Sequence, residues 1–129
     1  MANYYASARS NKFKVKNLED FTAGMHGDIE VYIEDLVEKA VCLLCNSDGG
    51  WPTSIYNEDT DECEEWDVET YVSEFLVDGE WCVIQEVGAE KLRYLVGWSC
   101  AFNNKGESHF VNIDDVYKSL PDNVTQCAY

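Results

Sequence analysis

Proline is scarce in this sequence, and long apolar runs are missing. Only Pro52 and Pro121 punctuate the 129 residues, and no internal repeat or flexible linker divides the chain. A chain of this length buries one hydrophobic core and is too short for two. We therefore expect a single acidic domain over residues 1–129, with a frayed tail from about residue 122.

Membrane-spanning and secretory segments are also missing from the sequence. A transmembrane helix needs a run of about 18 or more apolar residues, and the chain has none. The segment Met1–Asn17 is polar and basic and lacks the apolar centre of a secretory signal. We therefore expect a cytoplasmic protein that makes no membrane contact.

Basic residues are few and unevenly placed. Nine Lys and Arg stand against 25 Asp and Glu, which gives a formal net charge of -16. A net charge of magnitude about 2 to 8 is enough to keep a small domain soluble. Residues 17–80 hold 19 acids and a single base, Lys39, and eight of these acids fall within residues 58–69. Such a surface repels phosphates, so we expect no direct binding of nucleic acid.

Hydrophobic periodicity predicts a mixed fold. Ser10–Lys16 alternates apolar and basic residues as a half-exposed strand does, whereas Val68–Leu76 has apolar residues at helical spacing. The acidic run before that helix is expected to be a polar loop. The order of elements predicts an α+β fold, a mostly antiparallel sheet with two or three helices packed on one face. The other predicted elements are helices at Leu18–Met25 and Asp114–Leu120, strands at Asp28–Ile33, Ala40–Cys45, Trp81–Val87, Lys91–Phe102 and Ser108–Ile113, and turns at residues 48–50 and 88–90.

Metal-binding motifs are incomplete. Asn57, Asp59 and Asp61 match ligand positions of a calcium loop, but Glu62 stands where that loop needs glycine and Val68 where it needs a bidentate glutamate. The cysteines lack the second C-x-x-C or His pair of a zinc site. We predict no metal site and no cofactor. Four cysteines lie in apolar runs where we expect reduced, buried thiols: Cys42, Cys45, Cys82 and Cys100.

Catalytic motifs are incomplete as well. His26 and His109 are the only histidines, and neither lies in a nucleophile or metalloprotease motif. The turn at residues 48–50 lacks the lysine and helix that follow a phosphate-binding loop. A pair formed in space by His109 and a thiol such as Cys100 is the enzymatic arrangement that the sequence leaves open. We predict a binding protein and not an enzyme.

Aromatic residues are interleaved with the acidic run. Trp51, Tyr56 and Trp66 flank or interrupt it, and arginine side chains of a basic protein can pair with carboxylates and stack on such rings. The alternative is a solvated loop that covers these rings, and the sequence favours neither. The predicted partner-binding residues are Glu58, Asp59, Asp61, Glu62, Glu64, Glu65, Trp66, Asp67 and Glu69.

Three segments, Asn3–Asn11, Gly49–Pro52 and Glu86–Tyr94, resemble those of small proteins from phages and plasmids. In size and acidic composition the chain also resembles anti-CRISPR and antirestriction proteins, whose acidic members occupy the DNA-binding surface of a host nuclease complex. The resemblance implies an inhibitor in the bacterial cytoplasm whose carboxylates imitate a phosphate track. Its partner would be the basic surface of a nuclease or nucleoprotein complex.

Two other functions stay open at this point. An immunity or antitoxin-like protein that neutralises a cationic toxin enzyme would also be small and acidic. A small enzyme would instead depend on one residue such as His109 or Cys100. The oligomeric state is open too, because the long strand predicted at Lys91–Phe102 could pair with another chain at an edge.

Overall fold

The computed structural model of the chain describes residues 4–90, 94–125 and 127. Strand is the predominant secondary structure, and helices are short. The strands are β1 (Tyr4–Ser10), β2 (Phe13–Lys14), β3 (Ile29–Asp35), β4 (Ala40–Cys45), β5 (Ser54–Asn57), β6 (Glu62–Glu65), β7 (Cys82–Glu90), β8 (Tyr94–Phe102) and β9 (Ser108–Asn112). The helices are α1 (Leu18–Ala23), α2 (Val68–Phe75) and a final 3₁₀ helix (Ile113–Ser119).

The strands form one large sheet and one hairpin. The large sheet has the order β2-β4-β1-β7-β8-β9, and β3 also pairs with β4. The strands β5 and β6 pair only with each other among the described residues. Every pairing between these strands is antiparallel. The structure therefore confirms the prediction of a mixed fold built on a mostly antiparallel sheet.

Strand register divides the large sheet into two faces. Ile84 lies opposite Cys100 and is buried in the core, whereas its neighbour Gln85 lies opposite Ser99 and is exposed on the other face. Strand β4 contributes most to burial, because Ala40–Leu43 are all buried. The core is a single cluster made of Ala8, Phe13, Val15, Phe21, Ile29, Val41, Leu43, Trp51, Val68, Val72, Leu76, Cys82, Ile84 and Phe102.

Both α-helices begin where their capping residues predict. The Asn17 side chain accepts a hydrogen bond of 3.0 Å from the first turn of α1, and Asp67 accepts one of 3.2 Å from the first turn of α2. The two helices meet through their rings, since the Phe21 and Phe75 centroids lie 5.4 Å apart in a T-shaped arrangement. The predicted helices are confirmed, although each ends one or two residues earlier than expected.

The N-terminal strand lies earlier in the chain than predicted. The prediction of a single strand at Ser10–Lys16 was wrong, because the chain forms β1 up to Ser10 and then the two-residue strand β2. Strand β1 pairs with β7 along its whole length. Its inward residues include Ala6 and Ala8, which are too small to give a clear hydrophobic alternation.

Two further predictions concern the ends of strands. The turn predicted at residues 88–90 was wrong, because β7 continues to Glu90, which pairs with Tyr4 of β1. The predicted start of the next strand at Lys91 lies outside the described residues. At the predicted tail, the Cys127 N–H donates a 2.8 Å hydrogen bond to the Tyr117 hydroxyl, and residues 126, 128 and 129 are outside the described part.

Candidate binding site: an acidic hairpin beside an aromatic cleft

The acidic run predicted as a polar loop is a β-hairpin. Strands β5 and β6 pair over four residues each, and residues 58–61 form the turn. Asp61 has a φ of +57°, a left-handed conformation that Asp adopts more readily than most residues. Asn57 Oδ1 accepts a 2.9 Å hydrogen bond from Asp59 N, and the Tyr56 hydroxyl donates to the Asp61 carboxylate. The loop prediction was wrong because the four residues of β6 are all exposed and carry no apolar alternation.

The hairpin carboxylates form no ion pair with the residues that the structure describes. Both ion pairs found in the described part of the chain lie elsewhere, Lys14 with Glu38 at 3.2 Å and Lys118 with Asp115 at 3.0 Å. The like charges along the hairpin therefore add up to a negative field that is open to a basic partner. The exposed hairpin carboxylates belong to Glu58, Asp59, Asp61, Glu62, Glu64 and Glu65.

Strand pairing sets the direction of the hairpin carboxylates. Glu62 lies opposite Asn57, so Glu62 and Glu64 share one face of the hairpin. Asn57 Nδ2 donates a 2.9 Å hydrogen bond to Glu64 Oε1 and holds that side chain on this face. Glu65 points to the other face, which it shares with Tyr56. The hairpin is therefore acidic on both faces.

The base of the hairpin is fixed to the core by His26 and Trp66. Asp28 N donates to His26 Nδ1 at 3.0 Å, so the other ring nitrogen carries the proton and donates to the Ser54 carbonyl at 2.8 Å. Trp66 N donates to the Thr53 carbonyl at 3.0 Å, and the Trp66 ring lies 5.0 Å from that of His26. Trp66 is thus a packing residue at the base of the hairpin.

The last two predicted site residues belong to helix α2 and not to the hairpin. Asp67 caps this helix and also accepts a 2.9 Å hydrogen bond from the Thr70 hydroxyl. Glu69 follows in the first turn, half-buried, and its carboxylate has no hydrogen bond or ion pair to a described residue. Burial raises the pKa of Glu69, and the nearby charge of Asp67 raises it further. The predicted site is therefore split between two neighbouring places.

Glu69 lines a cleft that the sequence did not reveal. The cleft has a volume of about 520 Å³ and lies between the start of α2, the segment after the Asp48–Gly50 turn, and the core face of β7, β8 and β9. The rings of Trp98 and Phe110 stack in its wall with centroids 5.8 Å apart. Trp51 completes the aromatic lining, and its indole N–H donates to the Gln85 carbonyl at 3.2 Å.

A second carboxylate, Glu86, is buried at the cleft. Its Oε2 accepts a 2.8 Å hydrogen bond from the Tyr4 hydroxyl, and its Oε1 accepts a 2.9 Å bond from the backbone N–H of Trp51. Burial together with this carboxylate raises the pKa of Tyr4 to about 12. The two hydrogen bonds hold the Glu86 charge in place at the wall of the cleft.

The residues that sequence reasoning missed are Glu86, Trp98 and Phe110. They lie on three different strands, and Glu86 is brought beside Trp98 by the pairing of β7 with β8. The periodicity of a sequence does not indicate which strands are neighbours in the sheet. No local pattern therefore identified these three residues as parts of one cleft. Trp51 flanks the acidic run in the sequence, and in the structure it is buried to 7% exposure at the cleft.

The thiol and histidine that the sequence left open as a pair are kept apart by the sheet. Cys100 lies opposite Phe110 on the core face, whereas His109 lies opposite Ala101 on the other face, with its ring 5.7 Å from that of Trp81. Burial raises the pKa of the Cys100 thiol, which is the reverse of the activation that a nucleophilic cysteine needs. All six cysteines are unpaired, with Cys63 and Cys127 exposed.

The described residues show neither a metal centre nor a membrane-spanning helix. No group of three or more His, Cys, Asp or Glu side chains within residues 4–90, 94–125 and 127 could hold a metal ion. No helix in the same ranges has the length and apolar character to cross a bilayer. Comparison with protein-family models, with curated proteins and with solved structures finds no match to the chain.

Proposed function

We propose that this chain is an acidic inhibitor that binds the basic nucleic-acid-binding surface of a host defence complex, such as a CRISPR effector or a restriction enzyme. The observation that carries the proposal is the hairpin of residues 54–65, which displays six exposed carboxylates that form no ion pair with any residue the structure describes. Resemblance in size and charge to anti-CRISPR and antirestriction proteins supports the same assignment.

Hairpin geometry suits imitation of a phosphate track. Exposed carboxylates such as Glu62 and Glu64 project from paired strands, so they keep a fixed spacing that a flexible loop would lose. A fixed row of charge steers association with a basic groove and competes with the nucleic acid bound there. His26 and Trp66 hold the base of this row against the core.

The helices have a supporting role in the proposed function. We propose that α1 and α2 cover one face of the large sheet, because Phe21 and Val72 belong to the same buried cluster as Ile84 and Phe102 of the sheet. This packing would give the hairpin a rigid base, and a rigid surface loses less conformational freedom on binding than a flexible one.

The test compares two variants with equal net charge. In the hairpin variant, Glu62, Glu64 and Glu65 are changed to glutamine, and in the control variant the exposed Glu19, Glu30 and Glu74 are changed instead. Both remove three of the formal charges that give -16. Each protein is added to a panel of purified CRISPR effector and restriction complexes, and the binding of target DNA is followed by gel shift.

The hairpin variant is expected to inhibit DNA binding about tenfold less well, a loss of about 1.4 kcal/mol, while the control variant keeps most of the inhibition. Inhibition should also weaken between about 0.1 M and about 1 M salt, as the Debye length falls from about 10 Å to about 3 Å. Failure of the wild-type protein to inhibit any complex in the panel contradicts the proposal. Equal inhibition by both variants contradicts the role of the hairpin.

A further inference from the structure

The cleft beside the hairpin combines aromatic walls with negative charge. Trp51, Trp98 and Phe110 form the aromatic part, and Glu69 and Glu86 are among the carboxylates that line it. No Lys, Arg or His is found among the described residues of the lining. A concave site with rings and carboxylates but without a base is electrostatically matched to an organic cation.

We propose that this cleft binds the side chain of an arginine that the protein partner presents. The inference rests on the proposed function for the identity of the partner, since a nucleic-acid-binding surface is rich in arginine. The arginine in the cleft would be a second contact with the partner, beside the contact made by the hairpin. The recognition itself can be tested on the isolated protein, without any partner.

Arginine fits the lining better than the other cations or an anion. Its flat guanidinium stacks on indole rings such as Trp98, and its fork of N–H donors matches a carboxylate such as Glu69. The ammonium of lysine is a compact, strongly hydrated point charge that gives up its water less readily. Phosphates and other anions are repelled by the carboxylates of the lining.

Glu69 is the carboxylate available to pair with the guanidinium. Glu86 already accepts a hydrogen bond on each oxygen, from Tyr4 and from Trp51, and the Asp67 carboxylate caps helix α2. The Glu69 carboxylate has neither a donor nor a cation among the described residues. A guanidinium in the cleft would supply both, and Glu86 would add to the negative potential from a fixed position.

The amino end of α2 also borders the cleft, and its partial positive charge opposes a cation. Asp67 caps this end of the helix and Glu69 lies in its first turn, and their two negative charges exceed the roughly half charge of a helix end. The charge at this side of the cleft therefore stays negative. The helix end sets the position of Glu69 and is not itself the binding group.

The four tryptophans provide an internally controlled test. Trp51 and Trp98 line the cleft, whereas Trp66 lies at the base of the hairpin and Trp81 packs on His109. The indole N–H signals of the ¹⁵N-labelled protein are followed during titration with a short peptide that contains one arginine. The same peptide with citrulline in place of arginine has the same shape without the charge and serves as the ligand control.

Binding in the cleft is expected to shift the indole signals of Trp51 and Trp98 with the arginine peptide and to leave those of Trp66 and Trp81 nearly unchanged. The citrulline peptide should bind at least about tenfold more weakly, a difference of about 1.4 kcal/mol. Equal affinity for the two peptides overturns the proposal. Shifts of equal size at all four indoles overturn it as well, because they indicate contact with the acidic surface in general.

Two charge variants complete the test. Glu69→Gln should weaken binding of the arginine peptide about five- to tenfold, in the range of the net contribution of one hydrogen bond. Glu74→Gln, on the exposed side of the same helix, should change that binding less than about twofold. Equal effects of the two variants contradict a role for Glu69. The hairpin variant should keep peptide binding at the two cleft indoles. A wild-type protein that binds the arginine peptide in the cleft but inhibits no complex shows that the proposed function fails. A wild-type protein that inhibits a complex but does not bind the peptide in the cleft shows that the arginine proposal fails.

Discussion

Gly50 and Glu86 are packed so closely that no side chain fits between them. A Cβ atom placed on Gly50 would lie 2.1 Å from Glu86 Oε1, the oxygen that accepts the hydrogen bond from Trp51 N. Gly50 also has a φ of +88°, which favours glycine. The conformation of this one turn therefore sets both the position of the Glu86 carboxylate and the approach of Trp51 to the cleft.

Gly50→Ala should lower the free energy of unfolding by about 2 to 4 kcal/mol. The positive φ accounts for about 1 to 2 kcal/mol, and displacement of the buried Glu86 carboxylate accounts for the rest. Gly79→Ala is the matched control, because Gly79 has a φ of +87° and nothing within 4 Å of the added Cβ. Chemical denaturation measures the free energy of unfolding of both variants. Equal losses of stability would show that the contact between Gly50 and Glu86 contributes nothing to the difference.

Glu69→Gln should stabilise the protein at neutral pH. Burial and Asp67 raise the pKa of Glu69 in the folded state, so the folded protein binds this proton more tightly than the unfolded chain does. The carboxylate therefore destabilises the fold when it is ionised. The difference in stability between variant and wild type should shrink as pH falls through the raised pKa of Glu69, and it should be lost below the ordinary pKa of Glu.

Thermal unfolding at about pH 7 and about pH 4 measures this effect, since these values lie on either side of the ordinary pKa of about 4.3. Glu74→Gln changes the net charge equally and corrects for general repulsion in the acidic chain. A Glu69→Gln protein no more stable than the Glu74→Gln protein at neutral pH contradicts the prediction. Residues that bind a ligand often lower the stability of the free protein, and a destabilising carboxylate at the cleft fits this behaviour.

His26→Ala should loosen the acidic hairpin. The change removes hydrogen bonds to Asp28 N and to the Ser54 carbonyl and the ring contact with Trp66, with an expected loss of about 1 to 3 kcal/mol. Hydrogen exchange of the β5 and β6 amides should quicken more than that of β7 and β8. His109→Ala, at an exposed site away from the hairpin, should stay within about 0.5 kcal/mol of wild type. Unchanged exchange in the hairpin would show that His26 is not its anchor.

The parts of the fold that the sequence predicted are those where burial leaves a periodic pattern. Helix α2 has Val68 and Val72 on its buried side and Asp67 at its cap, and strand β4 is an apolar run. The hairpin was mistaken for a loop because Glu62–Glu65 are all exposed. The two strands are held by the turn between them and by the packing of Trp66. The alternation of apolar and polar residues along the sequence gives no sign of either.

The candidate site was predicted only where its residues are neighbours in the chain. The acidic run is contiguous, so composition alone marked it. The cleft is assembled from β7, β8, β9, the start of α2 and the segment that contains Trp51. Glu86 reaches Trp98 through strand register, and register depends on the whole sheet rather than on any local sequence.

The hydrogen bond between Tyr4 and Glu86 should give the protein a distinctive loss of stability in alkali. Burial, with Glu86 beside it, raises the pKa of Tyr4 to about 12 from an ordinary value of 10.0, so the folded state retains this proton more tightly than the unfolded chain. The stabilisation is complete below about pH 10 and declines as pH rises through about 12. Wild type should therefore exceed Tyr4→Phe in stability at neutral pH, and the gap should close in alkali, as followed by denaturation at each pH. Comparison with Tyr4→Phe cancels the titration of the other tyrosines. A difference in stability between the two proteins that stays constant to about pH 12 would contradict the assigned role of Glu86 as the partner of Tyr4.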